Sequence, residues 1–185
     1  MNDNSGSNYF GPEPPDRPRD FASRVVNAAL LNGKTFQDIQ GDKAGTFQVY
    51  VLVAAAAIAS AIGTLDDLSL AFQNVFLTIA GWLIYSHVAW FMRSYIFDSV
   101  RAEASRPNMM RVVGIAYGAG LLRAFGVVPV VGELVFALAT IWIIVGISVG
   151  LKSSLAFENY GPVMGIIGIG IILNFTLSSL VFAFA

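Results

Sequence analysis

Five long apolar runs, separated by short polar connectors, dominate the chain from residue 47 onward. A helix needs about 20 apolar residues to cross the hydrocarbon of a bilayer, with a range of about 17–25. The runs at 47–65, 68–93, 109–127, 131–151 and 161–184 each meet that length and are each predicted to be one span. Residues 18–46 are patterned differently. Pro18 suits a first helical turn and Gly33 the position just past a helix end. Phe21, Val25, Val26, Ala29 and Leu30 gather near one face, with Arg24 and Asn27 elsewhere. This predicts an amphipathic helix over 18–32, lying on the membrane surface or packed on a partner protein, with Phe21 and Val25 in contact. Thr35 and Asp38 are candidates to cap a short second helix. Residues 1–17 have the Gly, Pro and Asn content of a disordered tail. The expected fold is an all-α membrane protein, a bundle of five transmembrane helices with a cytoplasmic N-terminal amphipathic helix.

Composition agrees with the pattern. The chain is 56% hydrophobic and 12% charged, where a soluble domain carries about 25% charged residues. Mean hydropathy is +0.67. Net charge is −1, which argues against a nucleic-acid partner. The absence of cysteine rules out disulfides, thiolate metal sites and cysteine catalysis. The opening MNDNSGSNYFGPEPPDRPRD lacks a basic-then-apolar signal pattern, so no cleavage is expected.

The basic residues predict an orientation. Arg17, Arg19, Arg24, Lys34 and Lys43 precede the first span; Arg93, Arg101, Arg106 and Arg111 flank the connector between the second and third; Lys152 follows the fourth. All lie on one side, with Arg123 the exception among the 11 Lys and Arg residues. Positive residues favour the cytoplasm. The expectation is a bacterial inner (cytoplasmic or intracytoplasmic) membrane, N-terminus cytoplasmic, C-terminus outside.

Few residues carry candidate chemistry. Arg123 and Glu133 flank the turn VVPVVG, where Pro129 ends one helix and Gly132 permits reversal. Read as a helix rising 1.5 Å per residue, the third span puts Arg123 near the outer interface, and Glu133 opens the fourth span at the positive end of its dipole. The pair is expected to close the hairpin as an ion pair; a substrate or proton-relay pair, or contact with lipid headgroups or another chain, is the alternative. His87, between Tyr85 and Trp90, reads as an interfacial side chain, with axial ligation of a haem or chlorophyll as the alternative cofactor role. Trp90 is a candidate membrane-surface contact. Gly114 and Gly118, Gly146 and Gly150, and Gly161 and Gly165 are spaced for close helix packing. Gln73, Asn74, Thr140, Asn174 and Thr176 can hydrogen-bond between helices. Asp66 and Asp67 read as a solvated turn, or weakly as a cation site. No metal-ligand, nucleophile or phosphate-loop motif is present in the sequence.

Three stretches resemble the bacterial branch of the Yip1 family. KTFQDIQGDKAGTFQVYVLVAAAAIASAIGTL carries Phe36, Ile39 and Asp42 ahead of an Ala-rich helix. NMMRVVGIAYGAGLLRAFGVVPVVGELVFALATIWIIVGISVGLKSSL carries Arg111-Val112-x-Gly114-x-Ala116, a proline hairpin and a Trp-containing helix. The third is the glycine run of span five. Together they cover about residues 34–175, and the 1–33 extension departs from the family. The resemblance implies multi-pass membrane architecture; eukaryotic members are linked to early secretory trafficking and small GTPases, and no catalytic residue carries over.

The functional expectation is a non-enzymatic accessory subunit that packs against and stabilises a larger membrane complex of respiratory or photosynthetic type. Its expected partners are membrane lipids and other integral membrane subunits. No cofactor is expected, with room left for a bound lipid or pigment. A small transporter or channel using Arg123, Glu133, Asn174 and the span-five glycines is one alternative, and a pigment- or haem-carrying subunit through His87 is another.

Overall fold

The computed structural model describes residues 20–97 and 105–183. The expected tail 1–17 and Pro18 lie outside the described residues, as do residues 98–104, where the sequence predicts that the helix of span two runs on through Asp98 and Arg101 toward Pro107. Within them are seven α-helices and no strand: α1 (Phe21–Ala29), α2 (Gly33–Gly41), α3 (Gly45–Ile62), α4 (Leu68–Tyr95), α5 (Arg106–Ala116), α6 (Gly132–Ser154) and α7 (Gly161–Ala183). A 3₁₀ helix, Tyr117–Val127, continues α5 as one rod. Five rods are long and apolar enough to cross a membrane: α3, α4, α5 with its 3₁₀ continuation, α6 and α7. The protein is therefore a helical bundle of multi-pass membrane type.

The third rod is the axis. Of its apolar stretch 61% is buried, against 17% for α7, and every residue from 111 to 120 is buried. α3, α4 and α6 pack around it, and α7 attaches mainly along α4. Glycine makes the axis possible. A Cβ at Gly114 would stand 2.3 Å from Val49 Cγ1, and one at Gly150 would stand 2.7 Å from Phe36. Gly118 receives Val25, and Gly146 faces Ala116. These four expected packing glycines meet neighbouring helices. Gly161 and Gly165 pack more loosely: the first is exposed and faces its own Asn159, and the second meets only the tip of Met92 on α4 at 3.6 Å. Gly170 takes that role on α7, against the Tyr85 ring.

The N-terminal helices are seated in the bundle. Leu31 adopts a left-handed conformation (φ 61°) that ends α1, and Asn32, in place of the expected Thr35, caps α2 by accepting from Lys34 N at 3.1 Å. Thr35 is buried instead. Phe21 and Val25 turn inward and pack on the core of this same chain, because Gly118 leaves a hollow for Val25. Val26 and Leu30 face outward. Trp142 Nε1 on α6 donates to Ala29 O at 2.8 Å. Phe36 and Ile39 are fully buried. Arg111 donates from Nε to the carbonyl oxygens of Ile39 and Gln40 at 3.1 Å, at the end of α2, and from Nη1 to Thr46 Oγ1. A cation is favourable at a helix C-terminus. Arg24 pairs with Asp42, tying α1 to the end of α2 just ahead of α3.

Two predictions follow from this packing. Gly114→Ala should lower stability by about 1–3 kcal/mol through overpacking, while Gly168→Ala, with nothing within 4 Å of the added Cβ, should be near neutral; thermal unfolding in mild detergent compares them. The Arg24 hydrogen bond, foremost, holds the Asp42 carboxyl below its ordinary range. A depressed folded value gives a stabilisation present above the ordinary carboxylate pKa of about 3.9 and lost as pH falls through the folded value. The N-terminal helices should thus become more protease-sensitive as pH drops below about 4, and Asp42→Asn should show the acid-state sensitivity already at neutral pH.

Candidate functional site

Between α4, the 3₁₀ helix, α6 and α7 lies a cavity of about 330 Å³. Its lining comes from these four elements alone and includes Thr78, Tyr85, Tyr117, Arg123, Thr140 and Asn174. The cavity sits toward the ends of the rods joined by the α3–α4 and 3₁₀–α6 turns, called here the hairpin side. Beyond Tyr85 the bundle is filled by buried Met92, Met109, Val112 and Ile166, so the lining does not continue to the opposite side.

Local winding creates the site. A 3₁₀ helix turns about 120° per residue, an α-helix about 100°. Residues six apart, Tyr117 and Arg123, eclipse in 3₁₀ geometry; in an α-helix they would diverge by about 120°. Eleven residues is long for a 3₁₀ helix, which seldom exceeds about four residues. Small residues allow it. A Cβ at Gly126 would stand 2.6 Å from Gly63 O, and Gly120 sits between Ala56 and Ile143. The 3₁₀ rise of about 2.0 Å per residue also lengthens the rod.

Arg123 is the centre of the site. Only 9% of its surface is exposed. Nη1 donates to Thr78 Oγ1 at 3.2 Å, and the guanidinium lies 5.2 Å from the centre of the Phe136 ring. Thr78 Oγ1 is 3.0 Å from Ser60 Oγ, which in turn reaches Ala57 O at 3.0 Å. Thr78 accepts from Arg123 and shares a hydrogen bond with the Ser60 hydroxyl, in which either oxygen can be the donor. The chain anchors the cation on α3 and α4. Arg123 Nε is buried without a partner among the described residues.

The expected Arg123–Glu133 ion pair is not formed. Glu133 is exposed in the first turn of α6, and the two make no ion pair among the described residues. The physical reason is the 3₁₀ winding, which turns Arg123 toward α4 and into the bundle. The turn itself forms as expected around Pro129, but Val130 takes the left-handed conformation (φ 73°). Gly132 serves by close approach: a Cβ there would stand 2.0 Å from Gly126 O.

The remaining lining groups are donors and neutral acceptors. Tyr117, 4% exposed, and Tyr85, 5% exposed, both line the cavity. Gly81 leaves the space in which Asn174 and Tyr117 approach: a Cβ there would stand 2.6 Å from Asn174 Nδ2 and 3.1 Å from Tyr117 Oη. Among the described residues, no Asp or Glu lines the cavity.

The other candidate residues lie elsewhere. His87 is exposed, with Nδ1 2.8 Å from Leu83 O on its own helix. Trp90 carries the Arg106 guanidinium 4.0 Å from its ring centre. Of the polar residues expected to link helices, Gln73, Thr140 and Thr176 bond within their own helices, and Asn74 donates to Thr64 Oγ1 at 3.2 Å. Asp67 caps α4, accepting from Leu70 N at 3.1 Å. The sequence reading missed Ser60–Thr78 and the Trp82 Nε1 bond to Met110 O at 3.0 Å; a hydroxyl or indole in an apolar run is the signal that could have found them.

Comparison of the chain with protein-family models, curated proteins and solved structures finds no match.

The buried cation yields a prediction. Removing an uncompensated charge from a membrane interior can be neutral or stabilising, whereas stranding it is costly. In delipidated protein, Arg123→Met should leave the unfolding midpoint unchanged or raise it. Thr78→Val, which takes away the guanidinium's acceptor, should cost about 1–3 kcal/mol. Thermal unfolding of the two variants beside the wild type checks the sign of each.

Proposed function

We propose that the protein is a non-enzymatic membrane protein whose working part is the Arg123 cavity, a site for an anionic group. The observation that carries this reading is a guanidinium, nine-tenths buried between membrane spans, lining a cavity that among the described residues holds no carboxylate. An intramembrane charge is expensive and ordinarily meets an opposite charge or a polar pathway. Here the protein supplies one hydroxyl acceptor and a ring face, and leaves donors around an open space. An anion would complete the set: charge-assisted bonds from Arg123, with Tyr117, Tyr85 and Asn174 as neutral donors. Binding, or binding as one step of transport, fits this donor set. In the orientation suggested by the basic residues, the hairpin side is the outer side of a bacterial inner membrane. The Yip1-family resemblance supports a multi-pass, non-catalytic role and assigns no ligand residue.

A second reading is favoured by α7, whose apolar stretch is only 17% buried. A span held along one flank leaves a face for another membrane helix, as expected of an accessory subunit in a larger complex.

Titration of purified protein with lipid-borne and water-soluble phosphates and carboxylates tests the first reading. At about a hundredfold excess over Kd, a ligand should add about 2.7 kcal/mol, raising the wild-type midpoint by several degrees, and should not raise that of Arg123→Met. Midpoints unmoved by every anion would contradict the anion site and leave the subunit reading.

A further inference from the structure

We infer that the anion is carried by an amphiphile: its charged head rests on Arg123 and its apolar chain leaves sideways, between α6 and α7, into the bilayer. The inference rests on the anion-site reading and adds the class of ligand and its route.

The burial of the lining is graded from inside to outside. The deep wall, Thr78, Tyr85, Tyr117 and Arg123, is buried and polar-tipped. The opposite edge is apolar and open: Phe175 on α7 is 72% exposed and Ile171 is 45% exposed. α6 and α7 touch along a short stretch only, while α7 is held along α4, so the mouth lies between two membrane spans. No turn residue of the hairpin side lines the cavity. A water-soluble anion finds no turn-lined entrance to the guanidinium among the described residues. An amphiphile already in the bilayer would slide its head inward and keep its chain in lipid.

Size agrees. Small-molecule sites enclose about 300–1,000 Å³, so 330 Å³ holds a headgroup and the first part of a chain and leaves the rest outside. The chemistry of the head is that of a singly charged phosphate or a carboxylate, each offering two oxygens to a guanidinium fork. Thr78 already occupies Nη1, which leaves the other donors of the fork for the ligand.

The test separates head, chain and their combination on delipidated full-length protein in neutral detergent. The probes are phosphatidylglycerol, glycerol phosphate, inorganic phosphate and diacylglycerol, read by thermal midpoint and by lipid retention in native mass spectrometry. Phosphatidylglycerol alone should raise the midpoint and be retained. Arg123→Met should weaken its binding about tenfold or more, the loss of a charge-assisted bond. Ser178 lines the cavity on α7; Ser178→Trp, which fills part of the cavity and leaves Arg123 in place, should weaken binding by a second route. Stabilisation by glycerol phosphate or inorganic phosphate equal to that by phosphatidylglycerol would overturn the amphiphile and keep the anion site. Stabilisation by no anion would remove both. Equal retention of phosphatidylglycerol by wild type and both variants would place the lipid elsewhere on the bundle and overturn the inference.

Discussion

A guanidinium stands inside a bundle of membrane type with no carboxylate beside it among the described residues, and much of the hairpin half of the structure is arranged around that charge. A bare cation buried between spans would be costly. The Thr78–Ser60 hydroxyl chain and the face of Phe136 offset part of the cost. The cavity leaves the remainder unmet. An unfinished electrostatic arrangement in an otherwise densely packed core is the kind of local inconsistency that marks functional sites.

The charge owes its position to backbone geometry. Eleven residues of 3₁₀ winding stack Tyr117 and Arg123 on one edge of the central rod. That winding survives because the rod is pressed among its neighbours at glycines, with Gly126 against Gly63, Gly120 between Ala56 and Ile143, and Gly118 beneath Val25. The same lack of side chains that lets helices approach also lets α1 dock. The N-terminal helices are thus part of the architecture that holds the axis: Trp142 grips the end of α1, Arg111 closes the end of α2, and Arg24 meets Asp42. A stretch of 3₁₀ backbone within a span also suits a hinge. Rewinding it as α-helix would turn Arg123 away from Tyr117.

The spans were legible because apolar run length is a strong signal: 68–93 against Leu68–Tyr95, and 131–151 against Gly132–Ser154. Gly114, Gly118, Gly146 and Gly150 were legible from spacing alone. Arg123 stood out as a charge in an apolar run, but its surroundings were not legible. A rise of 1.5 Å and a turn of 100° per residue put it beside Glu133; the 3₁₀ winding put it beside Thr78, and one-dimensional periodicity does not distinguish the two. The docking of α1 was hidden for a related reason. An apolar stripe says that a face will be covered, while the cover, here the hollow over Gly118, is a tertiary fact. Phe36, Ile39 and Asp42, noticed as part of a family-like pattern, turned out to be two core side chains and an ion-pair partner.

The central claim is that the Arg123 side chain is completed by an anion from the membrane. The most direct measurement is the phosphorus-to-nitrogen dipolar coupling of the Arg123 guanidinium, by solid-state NMR of arginine-labelled protein in phosphatidylglycerol bilayers, with Arg123→Met used to assign the signal. The account predicts a coupling of contact strength that disappears with the side chain. A guanidinium with no phosphorus nearby, in a bilayer made of that lipid, would contradict it.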